Sequence, residues 1–132
     1  MTSNLYLFFA GDCAAALTFY GEALGGTPTI VTFGQAPGGE GMEEYDPDQV
    51  MHAELQVGDW KLMASDGATD ATFQGFAVVY TSATVERSRE VFEALAAGGT
   101  VDSPFEPAFY SPGFGLLTDK FGVPWMIDTA QG

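Results

Sequence analysis

Residues 50–66, VMHAELQVGDWKLMASD, alternate apolar and polar side chains twice, once on each side of Gly58-Asp59. Successive side chains of a strand point to opposite faces. Met51, Ala53, Leu55 and Val57 therefore share one face, and His52, Glu54 and Gln56 share the other. Beyond the Gly-Asp turn, Trp60, Leu62 and Ala64 form the apolar set, and Lys61, Met63 and Ser65 the opposing one. The stretch reads as a β-hairpin with one face for a helix and one for something more polar. It also carries the single histidine of the chain, His52.

Upstream of the hairpin, residues 5–10, LYLFFA, read as a short aromatic-rich strand ending at Gly11. Asp12 is the expected N-cap of a helix to about Leu24, with Cys13, Leu17, Tyr20 and Leu24 on one face and Gly25-Gly26 as its stop. Residues 29–33, TIVTF, are β-branched and read as a strand. Residues 34–48, rich in Gly, Pro and Glu, read as a mobile acidic loop, and 67–74 as a polar linker.

Downstream the order repeats. Residues 75–81 read as a strand, Thr84 as an N-cap, and Val85, Ser88, Phe92 and Leu95 as a helix face running to Gly98-Gly99. Val101 begins a strand, 104–113 read as a loop with Phe109 and Tyr110 at its far end, and 114–118 with 124–128 form a second hairpin. A shift of 73 places Gly25-Gly26 on Gly98-Gly99, Phe19 on Phe92 and Ala23 on Ala96. Each half reads strand, helix, three strands. Such a βαβββ unit covers one face of its sheet with its own helix and needs a second copy, in the chain or across a dimer, to enclose the other.

Composition bounds the partners. At 132 residues the chain is one domain's worth, with modules at about 4–66 and 75–129. A hydrophobic content of 46% argues for a folded core, and no apolar run approaches a membrane span. The N-terminus lacks the basic segment of a signal peptide, so a cytoplasmic location is expected. With 4 basic against 18 acidic residues, a net charge of −14 disfavours nucleic acid and anionic membranes as partners. Cys13, the one cysteine, stands near a helix start, where thiols are activated. With no histidine near it in sequence, the small buried hydrophobe is the preferred reading.

The fragments YLFFAGDCAAALTFYGEALGG, VMHAEL, LMASD, FEALAAGG and FGLLTDKFGVPWMID, in this order, resemble the PhnB-like branch of the vicinal oxygen chelate superfamily. That superfamily includes glyoxalase I, bleomycin-resistance proteins and extradiol dioxygenases; the branch also carries the label of a 3-demethylubiquinone methyltransferase-like domain. The resemblance spans residues 4–129 and is weakest at 34–48. It implies an α+β fold of two βαβββ modules, forming a curved mixed sheet around a cleft.

Metal-using members place His and Glu ligands on the first and fourth strands of each half. The matching positions fall near Leu5, near Met63, near Gly75 and at Met126, none of them His, Asp or Glu. A thioether is a weak ligand for Zn, Ni, Mn or Fe(II). No metal is therefore expected, and no cofactor: Gly11-Asp12 is a single glycine in a short turn, and the Gly-Gly pairs follow helices rather than precede them.

Two sets of site residues follow. His52 and Glu54, two apart on one strand face, read as a hydrogen-bonded pair in or beside the cleft, or as an acid–base pair. A metal held by them with Asp66 or Asp128 is the lesser reading. Leu7, Phe9, Met63, Tyr110, Phe114 and Met126 are the expected apolar lining for a small molecule. Asp119, Lys120, Phe121, Gly122 and Trp125 are assigned to turn and core. Three functions remain in play: a metal-free small-molecule binding protein, an enzyme (lyase, isomerase or transferase) using His52 and Glu54, and a dimeric assembly module without catalysis. A homodimer is expected under each.

Overall fold

The computed structural model describes residues 3–35, 46–67 and 70–131. The chain divides into two compact units, Met1–Ala71 and Thr72–Gly132. Most of the expected acidic loop, 36–45, lies outside the described residues.

The first unit runs β1 (Leu5–Phe8), α1 (Cys13–Leu24), β2 (Thr29–Thr32), β3 (Val50–Val57) and β4 (Trp60–Ser65), in a sheet of order β1-β4-β3-β2. The second runs β5 (Val78–Ser82), α2 (Val85–Ala96), β6 (Thr100–Ala108), β7 (Ser111–Thr118) and β8 (Pro124–Thr129), in order β5-β8-β7-β6. In each sheet the first strand pairs parallel to the fourth, and the other pairs are antiparallel. The α+β fold of two βαβββ modules is thus present, as two four-stranded sheets. Among the described residues no helix is long and apolar enough to cross a membrane.

The hairpin of β3 and β4 closes at Val57 and Trp60 around Gly58, whose φ of 60° suits the first central position of a two-residue turn. Ala53, Leu55, Leu62 and Ala64 are fully buried on one face, with Cys13, Ala16, Leu17 and Tyr20 of α1. The alternation fails at one point. Val31 pairs with His52 and Thr32 with Val50, which leaves Met51 as a bulge and returns Val50 to the buried side.

The two Gly-Gly pairs end their helices differently. Gly25 takes the left-handed backbone that ends α1, at φ of 91°, whereas α2 gives way to extended backbone at Ala97, and Gly98, at φ of 78°, completes a turn closed by the Gly99 N–H on the Ala96 carbonyl. The second glycine of each pair presses on a strand. A Cβ on Gly26 would stand 2.8 Å from the Gln56 carbonyl oxygen, and one on Gly99 2.2 Å from that of Thr118.

The helix starts differ. Thr84 caps α2 as expected, its hydroxyl accepting from the Arg87 N–H. Asp12 makes no side-chain cap to α1. Asp66, at the far end of β4, supplies the acceptor instead. Its Oδ1 receives the N–H of Gly11 (2.7 Å) and Cys13 (3.1 Å), and its Oδ2 that of Val50 (2.9 Å). In the second unit, Ser88 on α2 is tied to β8, donating to the Asp128 carbonyl and receiving the Thr129 hydroxyl, each at 2.8 Å. Asp119 organises the β7–β8 turn, accepting from the N–H groups of Phe121 and Val123 and from the indole of buried Trp125. The turn-and-core assignment of Asp119 and Trp125 agrees with these bonds.

Three boundaries are corrected. β1 ends at Phe8 rather than Ala10, and β5 begins at Val78 rather than Gly75. The expected loop at 104–113 is largely strand, with only the Phe109-Tyr110 tip outside β6 and β7. Pro104 and Pro107 are residues that a central strand excludes. β6 is an edge, however, and both prolines fall where its register to β7 shifts, so no ladder bond needs their missing N–H.

Candidate functional site

The face of the first sheet opposite α1 gathers the polar half of the hairpin. Strand register places Tyr6 beside Met63 and Met63 beside Glu54 across β1, β4 and β3. His52 lies two residues along β3 from Glu54, on the same face. Its Nε2 is 3.0 Å from Glu54 Oε1, and its Nδ1 is 3.2 Å from the Tyr6 hydroxyl. Lys61, one of only four basic residues, reaches Glu54 Oε2 at 3.5 Å. The four side chains form one chain of contacts, Tyr6–His52–Glu54–Lys61.

The chemistry of the partners assigns the protons. A carboxylate only accepts, so a neutral His52 carries its hydrogen on Nε2 and gives it to Glu54. Nδ1 then holds a lone pair, and Tyr6 must be the donor to it. The hydrogen bond from His52 is the largest influence on Glu54 and holds its carboxyl below the usual range; Lys61 acts in the same direction, and desolvation opposes both. His52 and Glu54 are each a little over a third exposed, so the pair is reachable from solvent.

Aromatic and thioether surface surrounds this chain. The Tyr6 ring lies 4.9 Å from that of Phe8 and 5.8 Å from the imidazole. Phe8 is 58% exposed, unusual for a phenylalanine within a strand.

The structure brings His52, Glu54 and Met63 together on this face, as the hairpin reading implied. It removes Leu7 and Phe9 from it. Leu7 pairs in register with Ala64, and both Leu7 and Phe9 are buried on the helix-covered side. Tyr6 and Phe8 take their place. A run apolar on both faces, LYLFFA, carries no alternation to decide which side chains point where.

Tyr110, Phe114 and Met126 belong to the second unit. Tyr110 is half exposed at the β6–β7 tip, packed edge-on against Phe109 and Phe114 at 4.9 and 5.2 Å. Met126 pairs with Val79 and Leu116, on the face away from α2. Cys13 is fully buried, and burial first, then the charge of Asp66, pushes its thiol up to about 12. The nucleophile reading of Cys13 is thereby set aside.

The superfamily's metal positions shift by the same correction. Leu5 points to the helix side with Leu62, and Gly75 precedes β5, so Tyr6 and Val79 hold the first-strand positions opposite Met63 and Met126. Asp66 is spent on backbone N–H groups, and Asp128, beside Thr81 in the second sheet, leaves Oδ1 without a partner among the described residues. Among the described residues no three His, Cys, Asp or Glu side chains converge as a metal site. This donor set does not fit the superfamily's metal.

Comparison with known proteins agrees with this architecture. The family model for 3-demethylubiquinone-9 3-methyltransferase matches residues 2–128. Protein YjdN of Escherichia coli is 33% identical over 143 residues, spanning 99% of this chain and 97% of YjdN. The crystal structure of PA1353 from Pseudomonas aeruginosa superposes with a TM-score of 0.89 at 36% identity, covering 100% of this chain and 99% of that one. The fosfomycin resistance protein FosX from Listeria monocytogenes shares the fold alone, with a TM-score of 0.66 at 10% identity over 99% and 93% of the two chains. The chain belongs to the PhnB-like 3-demethylubiquinone-9 3-methyltransferase-like family, built on the fold of the vicinal oxygen chelate superfamily.

Proposed function

We propose that the chain is a metal-free small-molecule binding protein whose ligand lies against the helix-free face of the first sheet. The observation that carries this reading is the combination, on one face, of the exposed Phe8 ring, Tyr6 and Met63 with the charged end of the His52–Glu54 pair. Aromatic faces and a thioether favour a planar apolar body, and the Glu54 carboxylate favours a cationic or hydrogen-bond-donating end. The strongly acidic chain adds a long-range preference for cations.

Methyl transfer, named in the family's description, finds less support. A nucleoside-type methyl donor usually sits at the strand ends of a largely parallel sheet, and in each sheet here only the first and fourth strands pair parallel.

Calorimetry with a panel of planar aromatic cations and neutral aromatics tests the binding reading. Wild type should bind at least one cationic member, and Phe8→Ala should weaken it by about tenfold, the loss of one well-packed ring. No binding by any member sinks the proposal.

A second reading is favoured by the ordered contact of Tyr6, His52 and Glu54. Such a chain is able to move a proton, and an acid–base enzyme would use it on the same ligand face. Under either reading we infer a cytoplasmic homodimer, with edge strands β2 and β6 as available pairing surfaces. Light scattering on the full chain that returns a single-chain mass would reject the dimer.

A further inference from the structure

We propose that Tyr6, rather than His52, is the side chain that meets the ligand's reacting atom, as a phenol activated by the His52–Glu54 pair. This rests on the first sheet's helix-free face being the ligand site, and it assigns within that face the group that does chemistry.

The argument is one of hydrogen-bond capacity. Imidazole has two nitrogens, and in His52 both are engaged, Nε2 with Glu54 and Nδ1 with Tyr6. His52 therefore has no lone pair or N–H left for a ligand while these bonds persist. Glu54 is flanked by His52 on one oxygen and Lys61 on the other. The phenol stands at the open end of the chain. Its hydrogen points to Nδ1, which leaves its oxygen lone pairs unspent. The three groups stand in the order nucleophile, imidazole, carboxylate, the arrangement by which a base activates a weak hydroxyl nucleophile. The neighbouring Phe8 ring, 4.9 Å away and largely exposed, offers an apolar surface on which a flat ligand would rest beside that oxygen.

The ligand class follows from the chemistry of such an oxygen. It suits a molecule with an electrophilic carbonyl-like or sulfonyl centre, or an acidic proton next to one. In the proton-transfer case the ligand's proton goes to the Tyr6 oxygen as the phenol proton passes to His52 Nδ1. The imidazolium that results is held by Glu54, and the ligand keeps the electron pair.

Benzenesulfonyl fluoride reads the same property without the natural ligand. The Tyr6 oxygen attacks sulfur, the sulfur–fluorine bond breaks, fluoride leaves, and the phenol proton goes to His52. Tyr110 is the internal standard. It is half exposed, and the one histidine of the chain has its Nδ1 engaged by Tyr6.

Peptide mass spectrometry of the full chain should find Tyr6 labelled at least about tenfold faster than Tyr110, the low end of general-base assistance. His52→Gln should abolish that advantage while leaving the Tyr110 rate unchanged, and Glu54→Gln should reduce it. Equal labelling of Tyr6 and Tyr110 in wild type overturns the proposal, and so does an undiminished Tyr6 rate in His52→Gln. If either variant misfolds, the wild-type ratio alone decides. A fast, histidine-dependent Tyr6 alongside a failed calorimetric panel would leave Tyr6 activation standing while the binding reading fell.

Discussion

Replacing Asp66 by Asn changes one atom and should cost the first unit about 3 kcal/mol. The carboxylate is 5% exposed and accepts three backbone N–H groups, from Gly11 and Cys13 at Oδ1 and from Val50 at Oδ2. Its own N–H also bonds the Val50 carbonyl at 2.9 Å. An asparagine has one acceptor oxygen in place of two. The better orientation keeps that oxygen on Gly11 and Cys13 and turns the NH₂ toward the Val50 N–H, donor against donor. An unsatisfied buried N–H costs roughly 1–3 kcal/mol. Losing the charge on the acceptor weakens each surviving bond by about half, roughly 1 kcal/mol apiece. Relief from burying a charge offsets part of the sum, leaving about 3 kcal/mol.

Urea unfolding of Asp66→Asn, followed by circular dichroism, measures it. With a slope of roughly 1.5 kcal/mol per molar urea, the midpoint should fall by about 2 M. A second readout comes from Cys13, whose thiol is raised first by burial and then by Asp66. The variant should react faster with a thiol reagent at alkaline pH, yet stay slower than a free cysteine. A midpoint within about 0.5 M of wild type would refute the reasoning.

Other outcomes follow from the same kind of accounting. Asp119→Asn should lose about 2–3 kcal/mol and change the fluorescence of Trp125, whose indole N–H is 2.9 Å from Oδ2; an unaltered spectrum and midpoint would contradict this. Cys13 ionises near 9.0 when unperturbed and at about 12 in the fold, so its contribution is complete below pH 9 and is lost as pH rises through about 12. Between those limits wild type should lose about 1.4 kcal/mol per pH unit from this thiol. The fall should be shallower by that amount in Cys13→Ala, and parallel curves would show that the thiol is not responsible. Gly99→Ala sets a methyl 2.2 Å from the Thr118 carbonyl and should destabilise by about 2–3 kcal/mol; a midpoint unchanged in urea would mean that the strand end gives way freely.

What the sequence made legible, and what it hid, divides by range. Alternation about Gly58, helical spacing and the two Gly-Gly stops are local signals, and the strands and helices they imply are present. His52, Glu54 and Met63 share a face because strand period alone fixes that. Tyr6 and Lys61 were not legible as their partners. Tyr6 lies in a run apolar on both faces, and its contact with His52 spans 46 residues. The α1 cap was sought in adjacent Asp12 and comes from Asp66, 55 residues from Gly11. β6 was hidden by its prolines, which a central strand would exclude and an irregular edge accepts.

The two carboxylate anchors also set a timetable for folding. Asp119 gathers donors no more than six residues away, whereas Asp66 waits for Gly11 to arrive across 55. Closing the longer loop costs about 2 kcal/mol more chain entropy, from the logarithm of the ratio of lengths. The β7–β8 turn is therefore the natural early structure, able to form within a short-lived collapsed chain. The first unit should come together late and all at once, because β1, α1, β3 and β4 meet at a single buried side chain. Pulse-labelling hydrogen exchange should find the amide of Val123 protected before those of Gly11 and Val50, and the reverse order would exclude this sequence of events.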